Sequence, residues 1–211
     1  MDHRQQRVER HRIELDGPAT RFVDRFLIGN GTLGAALDMA WVLCLAARLR
    51  DPGLASEALD TLLGPLSSAS LLDLHPMGDL DDVFQNDGNL GGTAGVVELL
   101  VQGHGGVLSL LPTLPTEWSA GRFRGFRVRG GHVVDVEWSR HRPVAATLIL
   151  TAGGVLVELP DDGSMMTVAG PGGALPTRLE DGAPAGRRRI RLDEPGVHRL
   201  EFARPPGDPE D

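Results

Sequence analysis

The chain has 211 residues, 41% of them hydrophobic, and a formal net charge of −8. That length sets a prior of one or two domains, and the hydrophobic content is enough to bury a core and excludes a disordered chain. All 21 basic residues are arginine and none is lysine, so no lysine-dependent phosphate loop exists, and the acidic balance argues against a nucleic-acid partner.

The first stretch, Met1-Asp2-His3-Arg4-Gln5-Gln6-Arg7, has no apolar core of a signal peptide. The longest apolar run, residues 39–47, is far shorter than the ~20 residues that span a bilayer. The expectation is therefore a cytoplasmic location and no membrane partner, unless an export signal has been lost. Residues 1–37 are polar and then glycine-rich. Val8, Ile13 and Leu15, then Arg25-Phe26-Leu27-Ile28, are short strand candidates, and Gly29-Asn30-Gly31 is a turn signal.

Residues 38–103 read as helical. Asp38 is placed to cap a helix through Trp41, Leu45 and Leu49, apolar on most sides and so expected to be buried. Within it the single cysteine, Cys44, reads as a buried structural thiol, and one cysteine excludes an internal disulfide. Asp51-Pro52-Gly53 ends that helix. A second follows with Ala55, Ala58, Leu59, Leu62 and Leu63 on one face, stopped by Gly64-Pro65. A long loop is expected over 67–92, then a third helix from about Thr93 to Gln102, ended by Gly103. Residues 104–204 read as short strands at 107–110, 126–129, 133–138, 146–150, 155–159, 189–192 and 198–202, separated by Gly or Pro. That pattern predicts an antiparallel sandwich. Arg187-Arg188-Arg189 reads as a solvated strand end. The tail 205–211 is expected to be disordered.

The most informative stretch is Phe84-Gln85-Asn86-Asp87-Gly88-Asn89-Leu90-Gly91-Gly92-Thr93-Ala94-Gly95. It resembles the F-Q-x-D-G-N-x-G-G/A-T/S-x-G segment of family 95 glycoside hydrolases, the α-L-fucosidase type. Leu71-Leu72-Asp73-Leu74-His75-Pro76 is similar to the approach to that segment. Leu110-Leu111-Pro112-Thr113-Leu114-Pro115-Thr116-Glu117-Trp118 and Val134-Asp135-Val136-Glu137-Trp138 continue the likeness. Ile28-Gly29-Asn30-Gly31-Thr32-Leu33-Gly34-Ala35 resembles the start of the family's N-terminal β-domain, and the helix pair at 39–63 the end of its (α/α)6 barrel. The resemblance implies an α+β chain, with a few helices derived from an (α/α)6 barrel plus a C-terminal antiparallel β-sandwich. The segments would be a remnant of the N-terminal β-domain at 1–37, a helical remnant of the catalytic barrel at 38–103, the sandwich at 104–204 and the tail.

In the family, much β-domain and barrel separates the Gly29-type motif from the helix pair. Here they adjoin near residues 37–38, so the chain resembles a member with a large internal deletion. An insert, Met77-Gly78-Asp79-Leu80-Asp81-Asp82, is expected to move His75 relative to Asp87. The resemblance implies inverting hydrolysis of α-L-fucosides, with a fucosylated oligosaccharide or glycan as partner, water as second substrate and no cofactor. Such chemistry needs a proton donor and a base that activates water on the opposite face. A carboxylate at a helix N-terminus is favoured in its ionised form by exposed N–H groups and the dipole, which suits a base-side role. By resemblance Asp87 activates an asparagine that positions the water, and His75 lies near the bound sugar. No position matches the family's acid glutamate or its asparagines, so weak activity or none is expected. Asp87 as a plain helix cap is the alternative, and Glu98 is a spare carboxylate on a solvated face.

Two other readings compete. Gly29-x-Gly31-x-x-Gly34 fits a dinucleotide fingerprint, but that needs a βαβ unit and an acidic residue ending the second strand. Asp51, near the right distance, lies in a Pro-Gly turn between helices, so tight β-turns account better for the glycines. Alternatively the sandwich is an accessory, carbohydrate-contacting module, with Trp118 and Trp138 stacked on sugars, or else packed in its core. Scattered histidines and one cysteine predict no metal site, and no G-x-S-x-G elbow is present. A pair of barrel helices cannot close a ring, and any apolar face left open promotes self-association.

Overall fold

A computed structural model describes residues 27–29, 34–36, 39–77 and 80–203. The strand candidates before residue 25, the Asp38 cap and the tail lie outside the described residues. Strands β1 (Leu27–Gly29) and β2 (Gly34–Ala36) pair antiparallel, with Gly29 opposite Gly34. Helices α1 (Met39–Leu49) and α2 (Pro52–Leu63) follow. The turn between them both stops and starts a helix. Arg50 takes a positive φ of 59°, the Asp51 side chain accepts from the Leu54 N–H at 2.9 Å as N-cap, and Pro52 opens α2.

The expected loop at 67–92 is instead mostly regular. β3 (Leu74–Met77) and β4 (Leu80–Phe84) form a hairpin, and α3 begins at Asn86 and runs to Leu100. Its early start places Gly88, Gly91, Gly92 and Gly95 inside a helix, where glycine is unfavourable by about 1 kcal/mol relative to alanine. Close packing explains them. A Cβ on Gly88 would lie 2.1 Å from the Asp73 carboxylate, on Gly91 2.9 Å from Ala40, on Gly92 2.6 Å from Leu62 and on Gly95 2.7 Å from Leu43. The glycine face is thus the contact face, and tertiary packing overrides propensity. Gly103 does not end α3. Val101 does, already extended, and the chain passes directly into β5 (Val101–His104).

The helices share a core of Leu43, Ala46, Ala47, Ala55, Ala58, Leu59, Leu62 and Leu99. A fully buried leucine such as Leu43 or Leu99 contributes roughly 1.5–3 kcal/mol of apolar burial. Expectation fails on the opposite side of α1, because Trp41, Leu45 and Leu49, spaced i, i+4 and i+8, are 56%, 41% and 71% exposed. Leu63, expected inside, is exposed as well. Cys44 is only half-buried, its sulfur 3.8 Å from the Gly91 carbonyl oxygen.

The remaining strands form two mostly antiparallel sheets. They are β6 (Val107–Leu110), β7 (Gly121–Arg127), β8 (Val133–Ser139), β9 (Arg142–Leu150), β10 (Val155–Pro160) and β11 (Met165–Gly170). Then come β12 (Gly173–Leu175), β13 (Leu179–Glu180), β14 (Arg187–Leu192) and β15 (Gly196–Ala203). One sheet runs β13-β14-β10-β6-β5 and the other β12-β11-β15-β9-β8-β7. Only β6 and β10 pair in parallel in these sheets. Alternation puts Val134, Val136, Leu148, Val157, Leu159, Ile190 and Leu200 into one core between them. The chain is therefore α+β, with three described helices set against a sandwich.

The helices are bound to the sandwich by polar as well as apolar contacts. Val96 and Trp118 pack against both cores. The Ala47 carbonyl accepts from Gln102 Nε2 at 3.0 Å and Thr113 Oγ1 at 3.1 Å. Below the seam lies a buried charge cluster that overturns the solvated reading of the arginine run. Glu158 is wholly buried and accepts from Arg50 Nη2, from Arg189 Nε and Nη2 at 3.0 and 2.8 Å, and from Ser109 Oγ at 3.1 Å. Arg187 stands 3.5 Å from the same carboxylate and is 8% exposed. Burial works to raise the Glu158 carboxyl, but the Arg189 and Arg50 bonds outweigh it and hold it below its usual range. Burial also draws the Arg187 guanidinium down to about 10, against the pull of Glu158.

Candidate functional site

The tip of α3 gathers the residues that the sequence singled out. Gln85 is the N-cap and makes no side-chain cap bond, so Asp87 in the first turn is not the cap. Its side chain is exposed. The plain-cap account of Asp87 therefore does not describe its position. Asn89 is the residue that fastens the tip. Its Oδ1 accepts from the Asp73 N–H at 2.9 Å and its Nδ2 donates to the Leu71 carbonyl at 2.7 Å. These two bonds clamp the 71–73 segment onto the helix, where Leu71 has a φ of 61° and Asp73 is buried against Gly88.

His75 lies on β3, its backbone paired with Val83. Met77 and Leu80 of the 77–82 insert lie opposite each other in the β3–β4 pair. Leu74 is paired with Phe84, and the Gln85 N–H donates to the Asp73 carbonyl at 3.1 Å. Met77 and residues 80–82 of the insert thus belong to the two paired strands, and the hairpin bearing His75 runs directly into the tip bearing Asp87. A cavity of about 180 Å³ runs under this tip, lined by Ser67, Asp73, Asn89 and Thr93 with Leu59 and Leu62. Asp87 does not line it. Asn89 and Asp73 were not singled out as contributors in the sequence. The signal for Asn89 was its place two residues after Asp87 in a turn tripeptide, where an amide side chain readily bonds neighbouring backbone.

Glu98 does not complete a carboxylate pair. It stands eleven positions after Asp87 on the same helix, about 16 Å along the axis, whereas an inverting pair stands about 6.5–9.5 Å apart. It is also bound in a fork to Arg48, at 2.7 and 3.1 Å, rather than free on a solvated face. Among the described residues no group of three or more His, Cys, Asp or Glu could hold a metal ion.

The competing sites resolve differently. Gly34, the third glycine of the dinucleotide fingerprint, lies in an antiparallel strand instead of opening a helix, so the described residues 27–29 and 34–36 do not have the strand-to-helix geometry of that site. Trp138 is 6% exposed, and its Nε1 donates to the Trp118 carbonyl at 2.9 Å. Trp118 is half-buried between the two cores. Both packing roles hold, and neither ring is laid open as a stacking platform.

Two family models match this chain. The glycosyl hydrolase family 95 catalytic domain matches residues 20–100, and the glycoside hydrolase family 95 C-terminal domain matches residues 102–177. The matches meet at Val101, the residue at which α3 gives way to β5. The first takes in both the Gly29 hairpin and the Asp87 tip. Among curated proteins none matches the chain.

Proposed function

We infer that this chain, which belongs to glycoside hydrolase family 95, is of the α-L-fucosidase type and keeps the base side of an inverting site without its acid side. The observation that carries this reading is the α3 tip. Asp87 is exposed on a first turn that Asn89 fastens in place, beside the strand bearing His75, while Glu98 is distant and ion-paired. In this reading Asp87 orients the group that positions water, and His75 contacts the sugar. The proton donor and the asparagines belong to barrel segments that the chain lacks between its β1–β2 hairpin and α1.

The exposed Trp41, Leu45 and Leu49 stripe supports the deletion, because it is the face that further barrel helices would cover. General acid catalysis contributes about 10²–10⁴-fold, so loss of the donor leaves little or no turnover even with Asp87 well placed. The substrate class is tested by saturation-transfer NMR with aryl α-L-fucoside against aryl β-D-glucoside. The expected result is transfer to the fucose methyl that weakens in Asp87→Asn. Equal transfer to both sugars, unchanged by Asp87→Asn, would count against fucoside selectivity at this tip.

A further inference from the structure

A second cavity, of about 490 Å³, opens at the seam between the helices and the sandwich, away from the α3 tip. Its volume lies in the range of small-ligand pockets, about 300–1,000 Å³. Arg50 and Arg187 line it, with Leu111, Thr113, Thr116 and His141 among its other walls. The charge beneath it does not balance. Three guanidiniums, of Arg50, Arg187 and Arg189, meet the single carboxylate of Glu158, which leaves two positive charges in excess. Of the three only Arg187 is buried, while Arg50 and Arg189 are 32% and 21% exposed, so the cost of unpaired charge falls on Arg187. Carbonyls of Leu110 and Leu111 accept from Arg187 and offset part of that cost. Arg50 Nη1 and Arg187 Nε are buried and hydrogen-bond to no protein group.

The backbone is strained at the same place. Five non-glycine residues among those described have positive φ, and three of them line this pocket: Arg50 at 59°, Leu111 at 46° and His141 at 59°. His141 follows Arg140, at 53°, as the second residue of the two-residue β8–β9 turn. Such a turn favours Asn-Gly, because both positions need φ above zero. Here Arg-His occupies it, and His141 is held against the pocket wall, its backbone N–H donating to the Ser119 carbonyl at 2.8 Å and its Nε2 3.0 Å from the Thr116 carbonyl. Non-glycine residues persist in this region only where surrounding structure over-determines them, and they cluster at ligand clamps. The nearby Glu117 carboxylate is engaged by the Ser56 and Thr116 hydroxyls, at 2.8 and 2.6 Å, and does not line the pocket.

We propose that this seam pocket binds an oxyanion, the carboxylate of an acidic sugar or a free phosphate, with Arg50 as its principal ligand and Arg187 as the charge beneath. The Arg50 side chain is about a third exposed, its Nη2 is held by Glu158, and its Nη1, buried without a partner in the unliganded chain, is the donor that a turn of the guanidinium would bring to the ligand. The site stands whether or not the α3 tip binds a fucoside, since the two share no residue.

The test is calorimetric titration and thermal melting of the whole chain in low-salt buffer, with inorganic phosphate, glucuronate and neutral glucose as separate probes. Phosphate or glucuronate binds saturably, raises the melting temperature and weakens with added salt, while glucose does neither. Tighter binding of glucuronate than of phosphate identifies an acidic sugar, and the reverse a free oxyanion. Arg50→Gln weakens the anion about tenfold or more, the value of one hydrogen bond to a charged group. Arg50 also braces Glu158, so a second variant guards against a folding defect. Pro52→Glu at the pocket edge keeps a helix-compatible first turn and sets a carboxylate against the ligand. It is expected to retain a cooperative melt and to lose the anion response. Absence of saturable anion binding, equal binding of glucose, or unchanged affinity in both variants overturns the proposal.

Discussion

Replacing Glu158 with Gln tests the account of how helices and sandwich are joined. The carboxylate is wholly buried, accepts bonds from Arg50, Arg189 and Ser109, and stands 3.5 Å from Arg187. The amide keeps the shape but removes the charge, leaving three guanidiniums without a counter-ion. Breaking one partner out of a buried ion pair typically costs 3–5 kcal/mol, and about that is expected here. For a chain of this length 1 kcal/mol moves the midpoint by roughly 2–4 °C, so Glu158→Gln should melt about 10 °C lower in a calorimetric scan at neutral pH. The pH dependence has a definite sign. The Glu158 carboxyl sits below its usual range in the folded chain. Its contribution is therefore present above the unfolded carboxyl's pKa and is lost as pH falls through the depressed folded value. The variant should lack that part of the acid limb. A loss below about 1 kcal/mol, with an unchanged acid limb, would refute the claim that this cluster braces the seam.

Two further outcomes follow from packing. Gly95→Ala would bring a Cβ within 2.7 Å of Leu43, and overpacking should outweigh alanine's helix preference, destabilising by about 1 kcal/mol net in urea titration. Gly53→Ala, exposed in the first turn of α2 with only ordinary contact to Asp51, should instead stabilise by up to about 1 kcal/mol, and the same sign for both would contradict the close-packing account. The Trp41, Leu45 and Leu49 stripe should drive self-association. Sedimentation should show concentration-dependent species that Leu45→Glu with Leu49→Arg reduces, and a clean monomer with no apolar dye binding would count against it.

Periodicity made much of this fold legible. The strands around Val133-Val134-Asp135-Val136 and Ala146-Thr147-Leu148-Ile149-Leu150 alternate cleanly, and the second helix shows its stripe at Ala55, Ala58, Leu59 and Leu62. The start of α3 was hidden because four glycines in eight residues read as loop, while their reason lies in Asp73, Ala40, Leu62 and Leu43, far away in sequence. The exposed face of α1 is not legible because a helix apolar on most sides signals burial, and periodicity does not say what covers each face. Arg187-Arg188-Arg189 looked solvated because its partner is remote. Glu158, a lone charge inside Val155-Leu156-Val157-Glu158-Leu159, was the visible clue, and the β10–β14 register sets it opposite Arg189. At the α3 tip the motif was legible from Asp87 onward, but the Asn89 clamp depends on a loop that only the fold brings near.

The most direct test of the central claim is fucose release from an aryl α-L-fucoside and a fucosylated oligosaccharide, by the chain and by Asp87→Asn. The account predicts little or no release above background by either protein, because in the proposed reading the base side of the site stands without its proton donor. Robust turnover that Asp87→Asn abolishes would contradict it and would place a working acid beside Asp87.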